Sequence, residues 1–483
     1  MSISSALNAA RSGLQINSLR ADITAGNVAN ANTAGYVRRS VLVGERVVGG
    51  TTAGVQSDGI ARSQDMYLTA QRRSVTSDLA QADMLSSAWK TISARVGDST
   101  DSESLFSKFS DFENALSDLA LSPESATNAT AVITAANSLI GEFHDLSQMV
   151  FDMRSDADRQ IADGVDTVNN ALKGIETLNE RISGANPDSS ETAALMDERQ
   201  RLLDSISEYI PVKAVDRDYG RIDVITPEGV FLLSGKARTL EFTPSTAFTP
   251  TDTVGGGQLS GLTVDGVDLT PSAASFGAVS SGLFGALFTL RDTDLPQFGA
   301  QLDTMAGDLI SRLSDDSIDP TKTPGDYGLF VDPAGTGAAG LAGRIALNAA
   351  VDPAQGGASW RLRDGIGAAT AGPSGYSDTL NRMVSAFTAV NAINSNGIQG
   401  AFSATDMVAQ FSSLVGTKRV QNESVLSSTS AQHTMLLEAE QSKNGVDIDS
   451  EMQDLMLIEQ AYAANARVIQ TASDMIDRLM ELL

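Results

Sequence analysis

Residues 126–183 read ATNATAVITAANSLIGEFHDLSQMVFDMRSDADRQIADGVDTVNNALKGIETLNERIS. Apolar side chains recur every three or four positions along this stretch, from Ile133 to Ile182. That spacing places them on one face of an α-helix. At about 1.5 Å per residue, a helix over 126–184 would be roughly 85–90 Å long, and a helix of that length needs coiled-coil partners rather than a globular core. The stretch therefore predicts a mainly α protein built around one long helix.

The regions on either side of this stretch follow a helix, strand, helix order. Helical spacing covers 61–120 and continues over 192–210 after the break at NPDSS. Beyond Pro211, apolar and polar residues alternate between Gly and Pro, which is typical of short antiparallel strands. Irregular β-like sequence then runs to about residue 375, interrupted by a helical pattern over 295–315. Helical patterns return from 376, so the fold class is mainly α with a β-rich insert.

The two ends of the chain carry apolar stripes with heptad-like spacing. A helix is predicted to about residue 31 and to end at Asn32–Gly35, where Asn and Gly tolerate the left-handed conformation. A hairpin is predicted from there to about residue 60, and a last helix from Ser450. The N-terminal stripe is Ile3, Leu7, Ala10, Leu14, Asn17, Ala21, Thr24 and Val28; the C-terminal one is Met452, Leu455, Glu459, Tyr462, Ala466, Ile469, Ser473, Ile476, Met480 and Leu483.

Charge favours pairing of these two ends. Residues 1–46 contain five Arg and two acidic residues, whereas residues 447–483 contain eight acidic residues and two Arg. Opposite charge on two helices favours their association, although only modestly where they are exposed. We predict three domains: 1–45 with 446–483, a terminal coiled coil that is disordered in the monomer; 46–210 with 376–445, a helical bundle; and 211–375, a β-rich outer domain.

Composition argues against several functional classes. The formal charge of −26 opposes a nucleic-acid backbone, so no nucleic-acid partner is expected. The chain has no Cys and two His, His144 and His433, which leaves little for thiolate, zinc or His-based catalysis. The glycines of Gly335–Gly340 satisfy a dinucleotide pattern without its strand and helix, and therefore indicate a loop. We predict no catalytic residue, cofactor or metal, and no membrane insertion.

Both ends resemble one family. Residues 5–39, SALNAARSGLQINSLRADITAGNVANANTAGYVRR, are similar to the N-terminal signature of bacterial flagellar rod, hook and hook-associated axial proteins. Residues 452–483, MQDLMLIEQAYAANARVIQTASDMIDRLMELL, resemble their C-terminal signature. One departure is Ala34, where the family usually has Pro. The stretches 195–215, 282–313 and 414–455 resemble the hook-associated members, whereas 240–375 matches poorly and the chain is short for the family.

The resemblance implies a non-enzymatic structural subunit that self-assembles at the distal end of the hook and joins it to the filament. It implies four partners: further copies of the chain, hook protein, the next hook-associated junction protein, and an export chaperone at the C-terminal helix. It also implies an extracellular flagellar location. The N-terminus lacks an apolar stretch like that of a signal peptide, which alone would predict a cytosolic protein, so export would proceed without a cleaved signal.

The predicted assembly interface combines both stripes with the Asn-rich element between helix and hairpin. Its residues are Ile3, Leu7, Leu14, Asn27, Asn30, Asn32, Gly35, Tyr36, Met452, Leu455, Gln460, Tyr462, Arg467, Ile469, Ile476 and Leu483. The alternatives are a hook or distal-rod protein, a filament subunit, and a soluble acidic helical binding protein. The helical block 126–209 argues against the hook protein, which is β-rich there, and the terminal signatures argue against the other two.

Overall fold

A helix, a β-hairpin and a second helix open the chain. The computed structural model describes residues 3–33, 35–48, 51–97, 100–271, 277–335, 337 and 339–481. Its first elements are α1 (Ile3–Ala29), β1 (Arg39–Val48), β2 (Thr51–Arg62) and α2 (Met66–Val96). The two strands pair antiparallel, with Arg39 opposite Arg62 at the base of the hairpin. The hairpin predicted after the first helix is confirmed.

The long helix is continuous. The next elements are α3 (Leu105–Leu121), α4 (Ala126–Gly184) and α5 (Ser190–Tyr209). Ser125 caps α4 by accepting a hydrogen bond from the amide of Asn128, which satisfies one of the donors left free at a helix start. With 59 residues, α4 has the bounds that its apolar spacing predicts.

Small antiparallel sheets follow, as the alternation after Pro211 predicts. A four-stranded sheet contains β3 (Lys213–Asp216), β4 (Ile222–Ile225), β5 (Phe231–Ser234) and β6 (Lys236–Ala237). A three-stranded sheet contains β7 (Leu240–Glu241), β8 (Thr263–Val264) and β9 (Val267–Asp268). Strand order follows chain order in both sheets, so each is a simple meander.

The remaining elements return to helix. They are α6 (Gly282–Thr289), α7 (Leu295–Ser314), β10 (Phe330–Val331), β11 (Ala346–Leu347), α8 (Arg361–Asp364), α9 (Asp378–Thr388), β12 (Asn391–Ser395), β13 (Ile398–Phe402), α10 (Ala404–Asn444) and α11 (Ile448–Glu481). A π-helical turn, Leu290–Asp294, joins α6 to α7. The predicted fold class, mainly α with a β-rich insert and paired terminal helices, is confirmed.

Helix α4 takes part in two hydrophobic cores, and this corrects one prediction. Leu139 and Phe143 pack with α3, α7 and α9, whereas Ile161 and Leu172 pack with α5, α6 and the small sheets. The expectation that so long a helix needs coiled-coil partners is therefore wrong, because different elements cover successive parts of its apolar face. Each core draws residues from both 46–210 and 211–375. The division into domains stays a prediction.

Two local predictions also differ from the structure. The helical pattern over 376–393 ends at Thr388, and a hairpin of β12 and β13 follows. Its turn is Asn396–Gly397, both with positive φ (51° and 85°), as a two-residue hairpin turn requires. The last helix begins at Ile448 rather than Ser450, because Asp447 accepts hydrogen bonds from the amide of Asp449 and the hydroxyl of Ser450. Those two bonds lower the pKa of Asp447.

Candidate assembly site

Helices α1 and α11 form an antiparallel pair. Near one end, the Asn27 amide donates to the Glu451 carboxylate over 3.0 Å. Fourteen residues along each helix, Gly13 faces Asn465, where a Cβ on the glycine would lie 2.7 Å from the Asn465 side-chain nitrogen. The two chains therefore run in opposite directions at close approach. The pairing of the chain ends that charge and spacing predict is confirmed.

The predicted stripe on α1 faces its neighbours. Ala10, Asn17 and Thr24 are buried, and Leu7 and Leu14 are half-buried. The opposite flank of α1 packs on the hairpin, where the amide of Val55 donates to the Ser12 hydroxyl over 3.1 Å. Helix α1 is thus covered on two sides.

On α11, part of the predicted stripe lies one residue out of register. Leu455 and Ile469 are half-buried against α1, as predicted, but Glu459, Ala466 and Ser473 are exposed. The buried positions are Ile458 and Ala472, each one residue earlier. Burying Glu459 without a partner would cost the solvation of its charge, so the helix turns Ile458 inward instead.

The other predicted interface residues fall into three groups. Asn30 donates to the Gly26 carbonyl over 2.9 Å, and Gly35 has a φ of 75°, as the predicted turn after α1 requires. Six predicted residues have exposed side chains: Asn32, Met452, Gln460, Tyr462, Arg467 and Ile476. The third group lies at the two ends of the chain: Ile3 is half-buried, and Leu483 lies outside the described residues. Ala34, the departure from the family signature, also lies outside them.

Asn27 is the centre of the joint between the helical pair and the hairpin. Its amide nitrogen donates to the Arg39 carbonyl (2.8 Å) and to Glu451, and its oxygen accepts from the Tyr36 hydroxyl (2.9 Å) and the Arg39 amide (3.1 Å). All four hydrogen-bonding positions of the side chain are therefore used. The Arg39 guanidinium lies 4.8 Å from the centre of the Tyr36 ring. Burial raises the pKa of Tyr36.

Two buried carboxylates flank this joint. Glu451, whose side chain is 1% exposed, accepts from Arg38 Nε over 2.6 Å. Asp197 on α5 accepts from Arg39 and from Arg62, each over 2.6 Å. Charge-assisted bonds of this length between buried groups fix geometry more strongly than exposed pairs do.

The joint continues into the helical body through Asn444 at the end of α10. The Arg38 amide donates to its carbonyl over 2.9 Å, and its side-chain oxygen accepts from the Asp65 amide over 2.7 Å. Arg72 then joins Glu440 of α10 to Asp204 of α5. The hydrogen bonds at Asn444 connect the base of the hairpin to α10. The ion pairs of Arg72 then connect α2, α5 and α10 of the body to one another.

Sequence reasoning found Asn27 and Tyr36 but missed the acidic partners Glu451, Asp197 and Asp204. The signal available was the concentration of Arg around the hairpin, at 38, 39, 62, 72 and 73, in a chain rich in acidic residues. That pattern predicts that partners exist. It does not say which of the 60 acidic side chains they are.

Helix α11 also carries a second apolar stripe that the prediction did not separate from the first. Leu457, Val468, Met475 and Leu479 are 45–60% exposed and lie beside the α1-facing side. With Ala464 they are spaced alternately by seven and four residues, an 11-residue repeat that keeps them on one helix face without a charged residue. The pair formed by α1 and α11 therefore leaves one seam uncovered.

No group of three or more His, Cys, Asp or Glu side chains that could hold a metal ion occurs among the described residues. Within the same residues, no helix combines the length and the apolar character needed to cross a bilayer.

The two histidines lie at separate places in the fold. His144 contacts the Ile345 carbonyl through Nε2 at 2.9 Å. Burial lowers the pKa of His433.

Comparisons with known proteins identify relatives for most of the chain. Residues 91–316 match the family model for the helical domain of flagellar hook-associated protein FlgK. Residues 441–482 match the C-terminal region of flagellar basal body rod FlgEFG proteins, and residues 7–36 match flagella basal body rod protein. Flagellar hook-associated protein 1 of Escherichia coli K12 is 24% identical over 99% of this chain and 100% of its own length. Along nearly its whole length, the chain is similar to flagellar hook-associated protein 1.

Two further curated relatives carry the same name. Hook-associated protein 1 of Bacillus subtilis is 22% identical over 98% of this chain and 97% of its own length. The Salmonella typhimurium protein of the same name is 27% identical over 61% of this chain and 53% of its own length. A solved structure of the flagellar hook junction protein FlgK from Burkholderia pseudomallei is 19% identical, with a TM-score of 0.44 over 54% of this chain and 46% of that one.

Proposed function

We propose that this chain is a structural subunit of the bacterial flagellum that self-assembles at the distal end of the hook and joins hook to filament through the next junction protein. The observation that carries this proposal is the match to hook-associated protein 1 along 99% of the chain, including both paired ends. In this role the protein binds and holds other subunits and catalyses no reaction.

The assembly surface is the terminal pair. The uncovered seam of Leu457, Val468, Met475 and Leu479 is completed by further copies of the chain, since a charge-free apolar stripe along one helix face packs on another helix. Burial of each Leu or Met that becomes fully covered contributes roughly 1.5–3 kcal/mol. The exposed residues Met452, Tyr462 and Ile476 extend this surface.

The other proposed partners come from the family. Hook protein lies on one side of the assembled zone and the next hook-associated junction protein on the other. An export chaperone holds α11 before assembly, and the subunit reaches its extracellular position without a cleaved signal peptide. The exposed apolar side chains of α11 are the part of the chain that a chaperone would cover.

We also propose that the terminal pair orders only on assembly, because one of its seams lacks a partner in the single chain. Strong hydrogen-exchange protection of residues 3–26 and 455–481 in the free monomer would contradict this.

We propose in addition that the outer domain of this chain is reduced, and that longer members of the family carry a larger one. The alignment with the Escherichia coli protein extends over 565 positions, whereas this chain has 483 residues, so the alignment leaves gaps in this chain opposite residues of the relative.

Deletion of the gene tests the proposal. We expect cells with hooks but without filaments, and flagellin shed into the medium, as seen by electron microscopy and immunoblotting. Restoring the gene should restore filaments. Cells that lack hooks would instead place the chain in the rod or hook, and normal flagella would contradict any junction role.

A further inference from the structure

The base of the hairpin binds carboxylates on two sides. Arg38 and Arg39 are consecutive, and successive side chains of an extended segment point in opposite directions. Arg38 reaches Glu451 on α11, whereas Arg39 reaches Asp197 on α5. The hairpin base is therefore bonded to the terminal pair on one side and to the helical body on the other.

Both bonds are held in protected surroundings. The side chains of Glu451 and Asp197 are 1% and 8% exposed, so water screens them little. Asp197 accepts three N–H bonds, one from Arg39 and two from Arg62, which lies opposite Arg39 in the hairpin. Removing one partner of such a buried pair leaves an uncompensated charge. The arrangement therefore resists displacement of either strand.

Backbone contacts restrict the same base. The amide of Ile60 donates to the Asp188 carbonyl over 3.1 Å, and a Cβ at Gly59 would lie 2.3 Å from the Asp188 Cβ. The strand thus lies directly on the segment that precedes α5. Movement of the hairpin relative to α5 would break this contact together with the Asp197 bonds.

We propose that the hairpin base is a clamp that is fixed to the helical body and sets the angle of the terminal pair once that pair has ordered on assembly, with Asp197 and Glu451 as its positioning residues. This inference rests on the proposed function, in which the terminal pair and the body belong to different layers of one assembly. Through the clamp, a displacement of the terminal pair would move the helical body with it, and the reverse.

Spin-label distance measurements test the clamp on the purified full-length chain. Because the chain has no Cys, labels can be placed on Gln56→Cys in β2 and Thr177→Cys in α4, both at exposed positions. We expect one narrow distance distribution in the parent and loss of that narrow peak in Asp197→Asn. Glu198→Gln, a neighbouring residue whose pair with Arg201 is exposed, should keep the narrow peak.

Two further variants make the result decisive. Glu451→Gln should leave the distance from hairpin to body narrow, because it releases only the side facing α11. If Asp197→Asn loses its helical circular dichroism, Arg62→Gln removes one guanidinium from the same carboxylate and should broaden the distribution in a folded chain. A narrow peak in folded Asp197→Asn or Arg62→Gln would overturn the clamp. The measurement needs no flagellum, so failure of the junction role would leave it unchanged.

Discussion

At the scale of single residues, Asn27 uses every hydrogen-bonding position of its amide. Two donors and two acceptors in one plane bind the Arg39 backbone on both its N–H and C=O, the Tyr36 hydroxyl and the Glu451 carboxylate. Asp at this position would lack the donors, and its charge would face that of Glu451. The Asn-rich element after α1 is therefore a joint as well as a helix stop.

Asn27→Ala should loosen this joint. Loss of the acceptor leaves the half-buried Arg39 amide without its bond, at a cost of about 1–3 kcal/mol. We expect hydrogen exchange of the Arg39 amide to become at least roughly tenfold faster, which corresponds to 1.4 kcal/mol. Asn32→Ala, at an exposed position of the same element, should leave that rate unchanged. Equal rates in Asn27→Ala and the parent would contradict the role given to Asn27.

At the scale of elements, α4 depends on where its glycines lie. A Cβ at Gly164 would lie 2.7 Å from the Phe284 ring and 2.8 Å from the Tyr209 ring, whereas a Cβ at Gly141 would meet no atom within 4 Å. One glycine is required by close packing of α4 against α5 and α6. The other is a weak point in an otherwise regular helix.

These two positions give opposite predictions for the same substitution. Gly141→Ala should stabilise the protein by about 0.5–1 kcal/mol, since Ala favours helix over Gly. Gly164→Ala should destabilise it by about 1–3 kcal/mol through overpacking. Urea unfolding followed by circular dichroism measures both. Stabilisation by both variants would show that α4 can shift away from its aromatic neighbours.

Elements with local signals could be predicted, and contacts between distant residues could not. The bounds of α4 follow from its own apolar spacing, and Gly35 from its place after a helix. The helical spacing that starts at 376 continues to 393 and so predicts helix where β12 begins, although Asn396–Gly397 is a strong hairpin-turn signal. The partners of Arg39 and Arg62 lie 158 and 135 positions away, and no local pattern selects Asp197.

At the scale of the whole molecule, the chain separates a body with two large cores from a terminal pair that buries little. The large aromatic side chains that are fully buried, such as Phe109, Phe143 and Phe284, all lie in the body. In α11 the buried apolar side chains are those of Ile458 and Ala472. We therefore expect the stability of the body to depend little on the terminal pair.

This separation predicts the outcome of a charge placed in the seam. Ile469→Asp introduces a carboxylate between α1 and α11, where its desolvation is unfavourable. We expect cells carrying it to lack filaments, as Leu14→Asp cells should, while the melting temperature of the purified chain changes little. Gln470→Asp, one residue away and exposed, should support normal filaments. A collapse of body melting in Ile469→Asp would show that the ends belong to the body's own fold.

The bond between Asn27 and Glu451 joins residues 424 positions apart, and this sets an order of events during synthesis. A ribosome releases α1 before the body's segments and α11 after them, and those segments fold as units. Until α11 has been synthesised, the apolar side of α1 that packs on α11 stays exposed. A message truncated before the codon for Ile448 would yield a folded body with a permanently uncovered first helix, which is a target for proteases that recognise unfinished chains.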